Sequence, residues 1–401
     1  MKTRKASGEQ HTDVLERSKF YRLLPVPALV VLVLLFFLPL VSTLSRAFIS
    51  SDGTVTTAAF SRLFTEPYTL RLFGTSVLQA AVSTLVSFII GMPGAYILAH
   101  YNFPGKKIVR AIATIPFVLP SILVVLGFVI FYGNNGLLNR FLMMLTGASE
   151  PPLPILYSFS AIIMAHAFFN FPIFMNIVSS YWESMDSRLE DAALTLGASP
   201  ATVFRSVTLP RLLPSMISSA ILVFLFCFSS FAVILVLGGG PRFSTLEVEI
   251  YRASRSLETT SYAAALSFLS MTVMVLLLLL YSAAQKKSSR HESHGNGGRA
   301  RILQAGKSAR IAMAIYTLLT SIFVLAPLLG IVYRSLRSPM SRAGGEEFSF
   351  RWYRELFRMA SSNGHMATGW NAIMTSMAIA VVVALVTVPL AVGIASALRK
   401  K

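Results

Sequence analysis

Long apolar runs separated by short polar segments dominate this chain. Eight runs hold about 20 or more consecutive, mostly apolar residues, which is the length that a helix needs to cross a bilayer. Lipid offers the backbone no hydrogen-bond partner, so each run is predicted to be a helix. The pattern therefore predicts an all-α polytopic membrane protein. The runs are residues 23–45, 74–99, 109–132, 155–181, 213–238, 261–284, 310–334 and 371–398.

The composition agrees with this pattern. Hydrophobic residues make up 54% of the 401 residues and charged residues 13%, whereas soluble domains average about 25% charged. We interpret the net charge of +18 as the basic flanks of membrane helices rather than as a nucleic-acid surface. Residues 1–22 are polar and basic, and the run after them is too long for a signal peptide. They are therefore predicted to form a cytoplasmic tail before an uncleaved anchor.

Lysine and arginine positions predict the orientation in the membrane. With the N-terminus in the cytoplasm, 22 of the 35 basic residues lie on the cytoplasmic side, in agreement with the positive-inside rule. Both termini and the polar segment 182–211 are then cytoplasmic. The expected location is the cytoplasmic (inner) membrane.

The second part of the chain is similar to the start of the first. FFLPLVSTLSRAF at 36–48 is similar to VLAPLLGIVYRSL at 324–336, and GMPGAYILA at 91–99 to TVPLAVGIA at 387–395. Such similarity indicates a tandem repeat. We predict a first membrane domain at 23–284 and a Gly/Ser-rich cytoplasmic linker at 285–309. A second domain at 310–401 is expected to hold only the first two helices of the repeat.

One polar segment, 183–210, has more internal order than a plain linker. The stretch EDAALTLGASPATVFRSVTLP at 190–210 predicts two short helices joined by a turn. Gly197 suits the left-handed position that ends a helix, Ser199 the N-cap of the next helix and Pro200 its first position. Such a unit can dock in a partner's groove, and an ordinary amphipathic linker is the alternative. The candidate docking residues are Glu190, Asp191, Ala192, Ala193, Gly197, Ala198, Phe204, Val207, Leu209 and Pro210.

This spacing resembles the cytoplasmic EAA loop of binding-protein-dependent ABC importer permeases, with Asp191 where the motif has glutamate. The segments 119–139, 165–176 and 224–251 are similar to the two-domain permeases for thiamine and, more distantly, for ferric iron. The resemblance implies the transmembrane domain of a type I importer, with six helices plus the first two of a second repeat. It implies thiamine as the solute, with ferric iron as the alternative.

The same resemblance implies several partners. Two copies of an ATPase subunit would grip such loops, and a solute-binding protein would deliver the solute. Because this chain has one such loop, a second permease half or another copy of the chain is also expected. ATP and magnesium would be bound by the ATPase, so this chain is expected to bind no cofactor of its own.

Two groups of polar residues are further candidates. His166 and Asn170 are four positions apart on one face of the fourth run, and polar groups at membrane depth either face a cavity or join two helices. They are therefore expected to line the solute path or to fix helix packing. Arg242, Arg252 and Arg255 follow the fifth run on the outer side, where their charge could dock a binding protein.

The sequence contains no pattern typical of an enzyme or of a metal site. AGKS at 305–308 resembles the end of a phosphate-binding loop, but Arg301 stands where that pattern needs glycine. HESH at 291–294 lacks the spacing of a zinc helix. We therefore predict no catalytic or metal-binding residues and a transport subunit without enzymatic activity. An ion-coupled secondary transporter and a membrane-embedded enzyme are the alternatives.

Overall fold

The computed structural model describes residues 25–49, 53–238, 240–292, 302–339, 346–357 and 369–398, and most of them are helical. The predicted tail 1–22 and residues 293–301 of the predicted linker lie outside these ranges. The helices are α1 Pro25–Leu32, α2 Leu38–Ser45, α3 Ala58–Thr65, α4 Pro67–His100, α5 Lys106–Val118, α6 Ser121–Tyr132, α7 Leu137–Thr146, α8 Phe159–Ser184, α9 Arg188–Thr195, α10 Pro200–Val203, α11 Leu209–Phe228, α12 Ala232–Leu237, α13 Leu246–Ala253, α14 Thr260–Glu292, α15 Lys307–Ser335, α16 Arg351–Phe357 and α17 Gly369–Leu398.

Single turns of other helix types join or extend several of these helices. Val33–Phe37 and Phe204–Thr208 are π-helical turns, and Arg46–Phe48, Pro241–Phe243 and Leu257–Thr259 are 3₁₀ turns. Among the described residues, eight helical stretches are long and apolar enough to cross a membrane. The predicted all-α membrane fold is therefore confirmed.

The chain forms two compact units, one of residues 47–334 and one of residues 1–46 with 335–401. In the first unit α8 lies at the centre and packs along α4, α5 and α11. Its Phe168, Phe171 and Phe174 are completely buried. A side chain at Gly91 of α4 would place its Cβ only 2.6 Å from the carbonyl oxygen of Phe171, so glycine allows α4 and α8 to approach closely.

Helix α15 belongs to this first unit up to Arg334. The Tyr316 hydroxyl donates a hydrogen bond of 2.8 Å to the carbonyl oxygen of Ile90 in α4. The ring of Phe323 contacts that of Phe168 in α8, with 5.6 Å between their centroids. The first helix after the predicted linker therefore packs against the helices that precede it.

Two of the predicted runs are interrupted, which corrects the expectation of continuous helices at 109–132 and 213–238. Helix α5 ends at Val118 and α6 begins at Ser121, with Pro120 between them. Proline has no N–H and pushes the preceding residue out of the helical region. Helix α11 ends at Phe228, before Ser229, whose hydroxyl donates to the carbonyl oxygen of Leu225 at 2.9 Å. In the sixth run, α14 continues to Glu292, beyond the predicted end at 284.

The second unit contains α1, α2, α16, α17 and a two-stranded antiparallel sheet. Strands β1 Arg337–Pro339 and β2 Glu346–Phe348 pair with Arg337 opposite Phe348. The indole N–H of Trp352 donates to the carbonyl oxygen of Arg337 at 2.7 Å and ties α16 to this sheet. Helix α1 packs on α17.

Candidate functional site

The segment 183–210 folds as the predicted helix–turn–helix. Helix α9 ends at Thr195, and Gly197 has φ +86°, the left-handed conformation that glycine adopts without strain. The Ser199 hydroxyl accepts a hydrogen bond of 3.2 Å from the N–H of Thr202, and Pro200 starts α10. The turn chemistry read from the sequence is therefore confirmed, although the role of these residues stays a prediction.

Hydrogen bonds on the inner side hold the two short helices together and to the long helices. The Thr208 hydroxyl donates to Oε1 of Glu190 at 2.6 Å, which joins the end of the second short helix to α9. Nη1 of Arg211 donates to the carbonyl oxygen of Asp186 at 3.0 Å, which joins α11 to the start of the segment. Val203 is buried within the chain. The segment is thus fixed to the membrane helices on both sides.

The opposite side of the segment is apolar and exposed. Leu196 is 88% exposed and Phe204 is 42% exposed. Asp191 also faces outward and accepts a hydrogen bond of 3.2 Å from the Ser187 hydroxyl. Of the predicted docking residues, Glu190, Ala193, Ala198, Val207 and Leu209 are half-buried, and Asp191, Ala192, Gly197, Phe204 and Pro210 are exposed.

Aromatic and charged contacts connect this segment to the adjacent helix ends. The Phe204 ring lies 6.3 Å from that of Trp182 in α8, and Trp182 lies 4.9 Å from the His100 ring at the end of α4. Glu183 pairs with Lys106 at 3.0 Å and with Arg110 at 3.4 Å, both on α5. Sequence reasoning missed these contacts, because spacing along one chain does not reveal which helix ends lie side by side.

A second candidate site is a cavity of about 400 Å³ at the two helix interruptions, here called the break cavity. Residues from the α5–α6 interruption, the α11–α12 interruption and the middle of α8 surround it. None of the residues that line it is an acid, a lysine or an arginine. They are Phe117, Ser121, His166, Phe169, Asn170, Phe226, Ser229, Ser230, Phe231, Ala232 and Val233.

His166 and Asn170 line this cavity and also join helices, while their place on the solute path stays a prediction. Nδ1 of His166 is 3.0 Å from the Ser83 hydroxyl of α4. Asn170 donates to the carbonyl oxygen of His166 at 2.8 Å and to the sulfur of Cys227 in α11 at 3.4 Å. Nε2 of His166 is buried and has no hydrogen-bond partner among the described residues. An unsatisfied buried group of this kind is costly unless a ligand or water completes it.

The three arginines that are predicted to lie on the outer side occupy the segment around α13. Nη1 of Arg252 donates to the Ser244 hydroxyl at 3.3 Å, and Nη1 of Arg255 donates to the Tyr251 hydroxyl at 3.4 Å. The guanidinium of Arg242 lies over the Phe243 ring at 5.3 Å. Arg242 and Arg255 are exposed and Arg252 is half-buried, so all three present charge at this surface.

Two carboxyl groups outside the spans have opposite environments. A hydrogen bond from Arg62 holds the pKa of Glu66 below its usual value. Burial raises the pKa of Glu247 on α13, although the Ser270 hydroxyl donates to its Oε1 at 2.5 Å and opposes this shift. Within the part of the chain that the structure describes, no three His, Cys, Asp or Glu side chains come together as a metal site.

Comparison with known proteins identifies the family. The profile of the "Binding-protein-dependent transport system inner membrane component" family matches residues 87–290. This chain belongs to that family. The match includes the helix–turn–helix segment, the break cavity and the outer segment around α13, so all three candidate regions lie in the family's own domain. It also establishes a multi-pass protein of the inner membrane, part of an ABC transporter.

Individual relatives within the family are permeases for named solutes. The thiamine transport system permease protein ThiP of Brucella abortus (strain 2308) is 29% identical over 343 residues, which are 83% of this chain and 57% of that protein. The chain thus spans little more than half the length of this relative. The "Putative 2-aminoethylphosphonate transport system permease protein PhnU" of Salmonella typhi is 28% identical over 249 residues, 62% of this chain and 84% of that protein.

A solved structure has the same fold. The bacterial ABC transporter involved in the import of the acidic polysaccharide alginate matches with a TM-score of 0.56 at 17% identity. The match covers 70% of this chain and 99% of the alginate transporter chain. It supports the type I importer fold.

Proposed function

We propose that this chain is a permease subunit of an ATP-driven importer whose solute is thiamine. A separate ATPase subunit grips the 183–210 segment, and an external solute-binding protein delivers thiamine to the outer surface. The chain itself performs no chemistry, since ATP and magnesium are bound by the ATPase. The membrane helices supply a bistable packing that the ATPase biases from one side and the binding protein from the other.

The observation that supports this proposal best is the two-sided character of the 183–210 segment. The Thr208–Glu190 hydrogen bond holds its two short helices together, and the Arg211–Asp186 hydrogen bond fixes its inner side to α11. Its outer side presents Leu196 as an exposed apolar anchor. A unit that is anchored inside and apolar outside transmits the movement of a bound partner to the helices, whereas a loose linker would absorb it.

The assembly follows from this arrangement. Two ATPase subunits need two such segments, so the complex includes a second permease half or another copy of this chain. The segment and both chain termini lie in the cytoplasm. Arg242, Arg252 and Arg255 then lie on the opposite side, where their charge attracts acidic residues of the solute-binding protein.

The choice of thiamine rests on the relatives and on the lining of the break cavity. Phenyl rings and hydroxyls suit an organic solute better than ferric iron, the other substrate of the permeases that the sequence resembles, because iron favours carboxylate and similar oxygen ligands. An anion such as 2-aminoethylphosphonate would meet no lysine or arginine among the lining residues. Thiamine carries a positively charged aromatic ring, so it needs neither carboxylate ligands nor a lysine or arginine.

The proposal is tested by capture of the ATPase and by uptake. In cells that contain the complete transporter, Leu196→Glu should abolish co-purification of the ATPase with this chain and reduce thiamine uptake to background. The reason is that an exposed charge replaces the apolar anchor without disturbing the inner hydrogen bonds. Co-purified ATPase is measured by immunoblot and uptake with labelled thiamine.

Val55→Glu is the matched control, because Val55 is 85% exposed but lies in an outer segment. It should leave ATPase capture and thiamine uptake unchanged. Undiminished capture with Leu196→Glu would contradict the coupling role. Labelled 2-aminoethylphosphonate or ferric ion taken up by the wild-type transporter in place of thiamine would contradict the substrate.

A further inference from the structure

The break cavity has a chemistry of its own that goes beyond a general passage for solute. Four phenylalanines from three helices and one interruption, Phe117, Phe169, Phe226 and Phe231, contribute to its lining. The rings of Phe117 and Phe226 lie 5.9 Å apart at 61°, so this pair bridges α5 and α11. Aromatic faces attract cations, most strongly where water is excluded.

The cavity also has a polar group that lacks a partner. His166 is 2% exposed and its Nδ1 lies 3.0 Å from the Ser83 hydroxyl, while its Nε2 has no hydrogen-bond partner in the part of the chain that the structure describes. In the tautomer that carries its proton on Nδ1, His166 donates to the Ser83 hydroxyl, and its Nε2 is then an acceptor for a ligand amino group.

The two interruptions place this chemistry where two membrane helices break. The helical hydrogen-bond pattern is broken between α5 and α6 and again between α11 and α12. Both breaks lie at the wall of the cavity. Irregular backbone at membrane depth is tolerated where it lines a cavity, and transporters use broken helices to build binding sites.

We propose that the break cavity is a binding site for an aromatic organic cation that also bears an amino group, held between the phenyl rings and by Nε2 of His166. This inference rests on the proposed function and names the residues that recognise its substrate. Such a site would bind a cation such as thiamine more tightly than an uncharged ring system of similar size or an anion.

Binding is tested directly in the purified complex of this chain with its ATPase, without the solute-binding protein. The single cysteine, Cys227, is buried, so Ser230→Cys introduces the accessible thiol of the cavity. Thiamine at about ten times its Kd should slow maleimide labelling of that thiol about tenfold. Thiochrome, an uncharged analogue, and 2-aminoethylphosphonate should protect weakly. Equal protection by all three would overturn the cation assignment, and no protection by thiamine would overturn the site.

The aromatic contribution is tested in the same assay. Phe226→Leu keeps apolar bulk but removes the ring, so the Kd for thiamine should rise about 2- to 30-fold, the range for one lost cation–π contact. Phe226→Trp should restore protection. Phe141→Leu is the matched control, because Phe141 is exposed on α7 outside the cavity. An unchanged Kd with Phe226→Leu would overturn the aromatic contribution.

The role of His166 is tested without changing this buried residue. Oxythiamine replaces the amino group of thiamine by oxygen, so it should protect the thiol more weakly than thiamine does. Equal protection would contradict the hydrogen bond to Nε2. Uptake distinguishes this inference from the proposed function. If wild-type vesicles import thiamine but the cavity variants bind and transport it normally, the site is wrong and the function stands. If wild-type vesicles do not import thiamine, the function itself fails.

Discussion

Helices α8 and α17 have nearly the same sequence character and opposite surroundings. Both are long, apolar and able to cross a membrane, yet 78% of the α8 span is buried inside the chain and none of the α17 span is. The more apolar of the two is the exposed one. In lipid, apolar surface gives helices no reason to associate, so burial follows close packing and polar partners.

The residues of the two helices show what causes this difference. Helix α8 presents His166, Asn170 and Ser179, which need hydrogen-bond partners, and it passes the small residue Gly91 of α4 at close range. The exposed residues of α17 include Val382, Val383 and Leu385, which are satisfied by lipid. The comparison therefore predicts that similar substitutions have different effects in the two helices.

The largest effect is expected for overpacking of the interior helix. Ala165 is completely buried in α8 and Ala378 is exposed in α17. Ala165→Leu should destabilise the protein by about 1–3 kcal/mol, because three extra heavy atoms must displace tightly packed neighbours. Ala378→Leu should change stability by less than about 0.5 kcal/mol. Thermal unfolding in detergent, followed by size-exclusion chromatography, measures both. Equal losses would mean that α17 is packed as tightly as α8.

Removal of a polar contact of α8 should reduce the stability of the protein less than overpacking does. Ser83→Ala removes the hydroxyl that lies 3.0 Å from His166 and should cost about 0.6 kcal/mol, the average for an interhelical hydrogen bond in a membrane. Thr387→Val in α17 is the control, because the Thr387 hydroxyl donates to the carbonyl oxygen of Val383 in its own helix. Its melting temperature should match that of the wild type. A larger loss from Thr387→Val than from Ser83→Ala would reverse the comparison.

Sequence reasoning predicted one part of this picture well. Hydropathy located the apolar runs because the cost of burying an unpaired backbone in lipid dominates their composition. Gly197, Ser199 and Pro200 predicted the turn because each residue type has a local backbone reason to be there. These features depend on a few neighbouring residues, which a single sequence contains.

The remaining features depend on distant residues. Pro120 and the Ser229–Ser230 pair signalled the interruptions, but a proline or serine in a membrane helix is often accommodated by neighbouring helices. The break cavity could be predicted only by knowing that both interruptions lie beside His166. The packing of α15 on α4 through Tyr316 likewise joins residues more than two hundred positions apart. Periodicity along the chain contains no information about such pairings.

Carboxyl groups outside the membrane spans also differ in how their surroundings shift their pKa. Burial raises the pKa of Glu247 above the usual 4.5, so the folded state binds its proton more tightly than the unfolded state does. The stabilising contribution of this group is therefore complete below pH 4.5 and is lost as the pH rises through the folded pKa. Glu247→Gln should stabilise the protein at neutral pH and remove this dependence. Melting temperatures from pH 4.5 to pH 8 measure it, and a variant that keeps the wild-type slope would contradict the assignment.

The smallest effect is expected at Glu66, which is half-buried and whose pKa is shifted in the opposite direction. Its pKa is held below 4.5 by the hydrogen bond from Arg62, so its contribution is present above pH 4.5 and is lost as the pH falls through the folded pKa. Solvent screens this pair, and Glu66→Gln should cost less than about 0.5 kcal/mol at neutral pH. Arg62 also lies 4.2 Å over the Tyr262 ring of α14, and this contact remains when the carboxylate is gone. A loss at Glu66 as large as that of Ala165→Leu would mean that this outer pair, rather than the packing of α8, limits the stability of the fold.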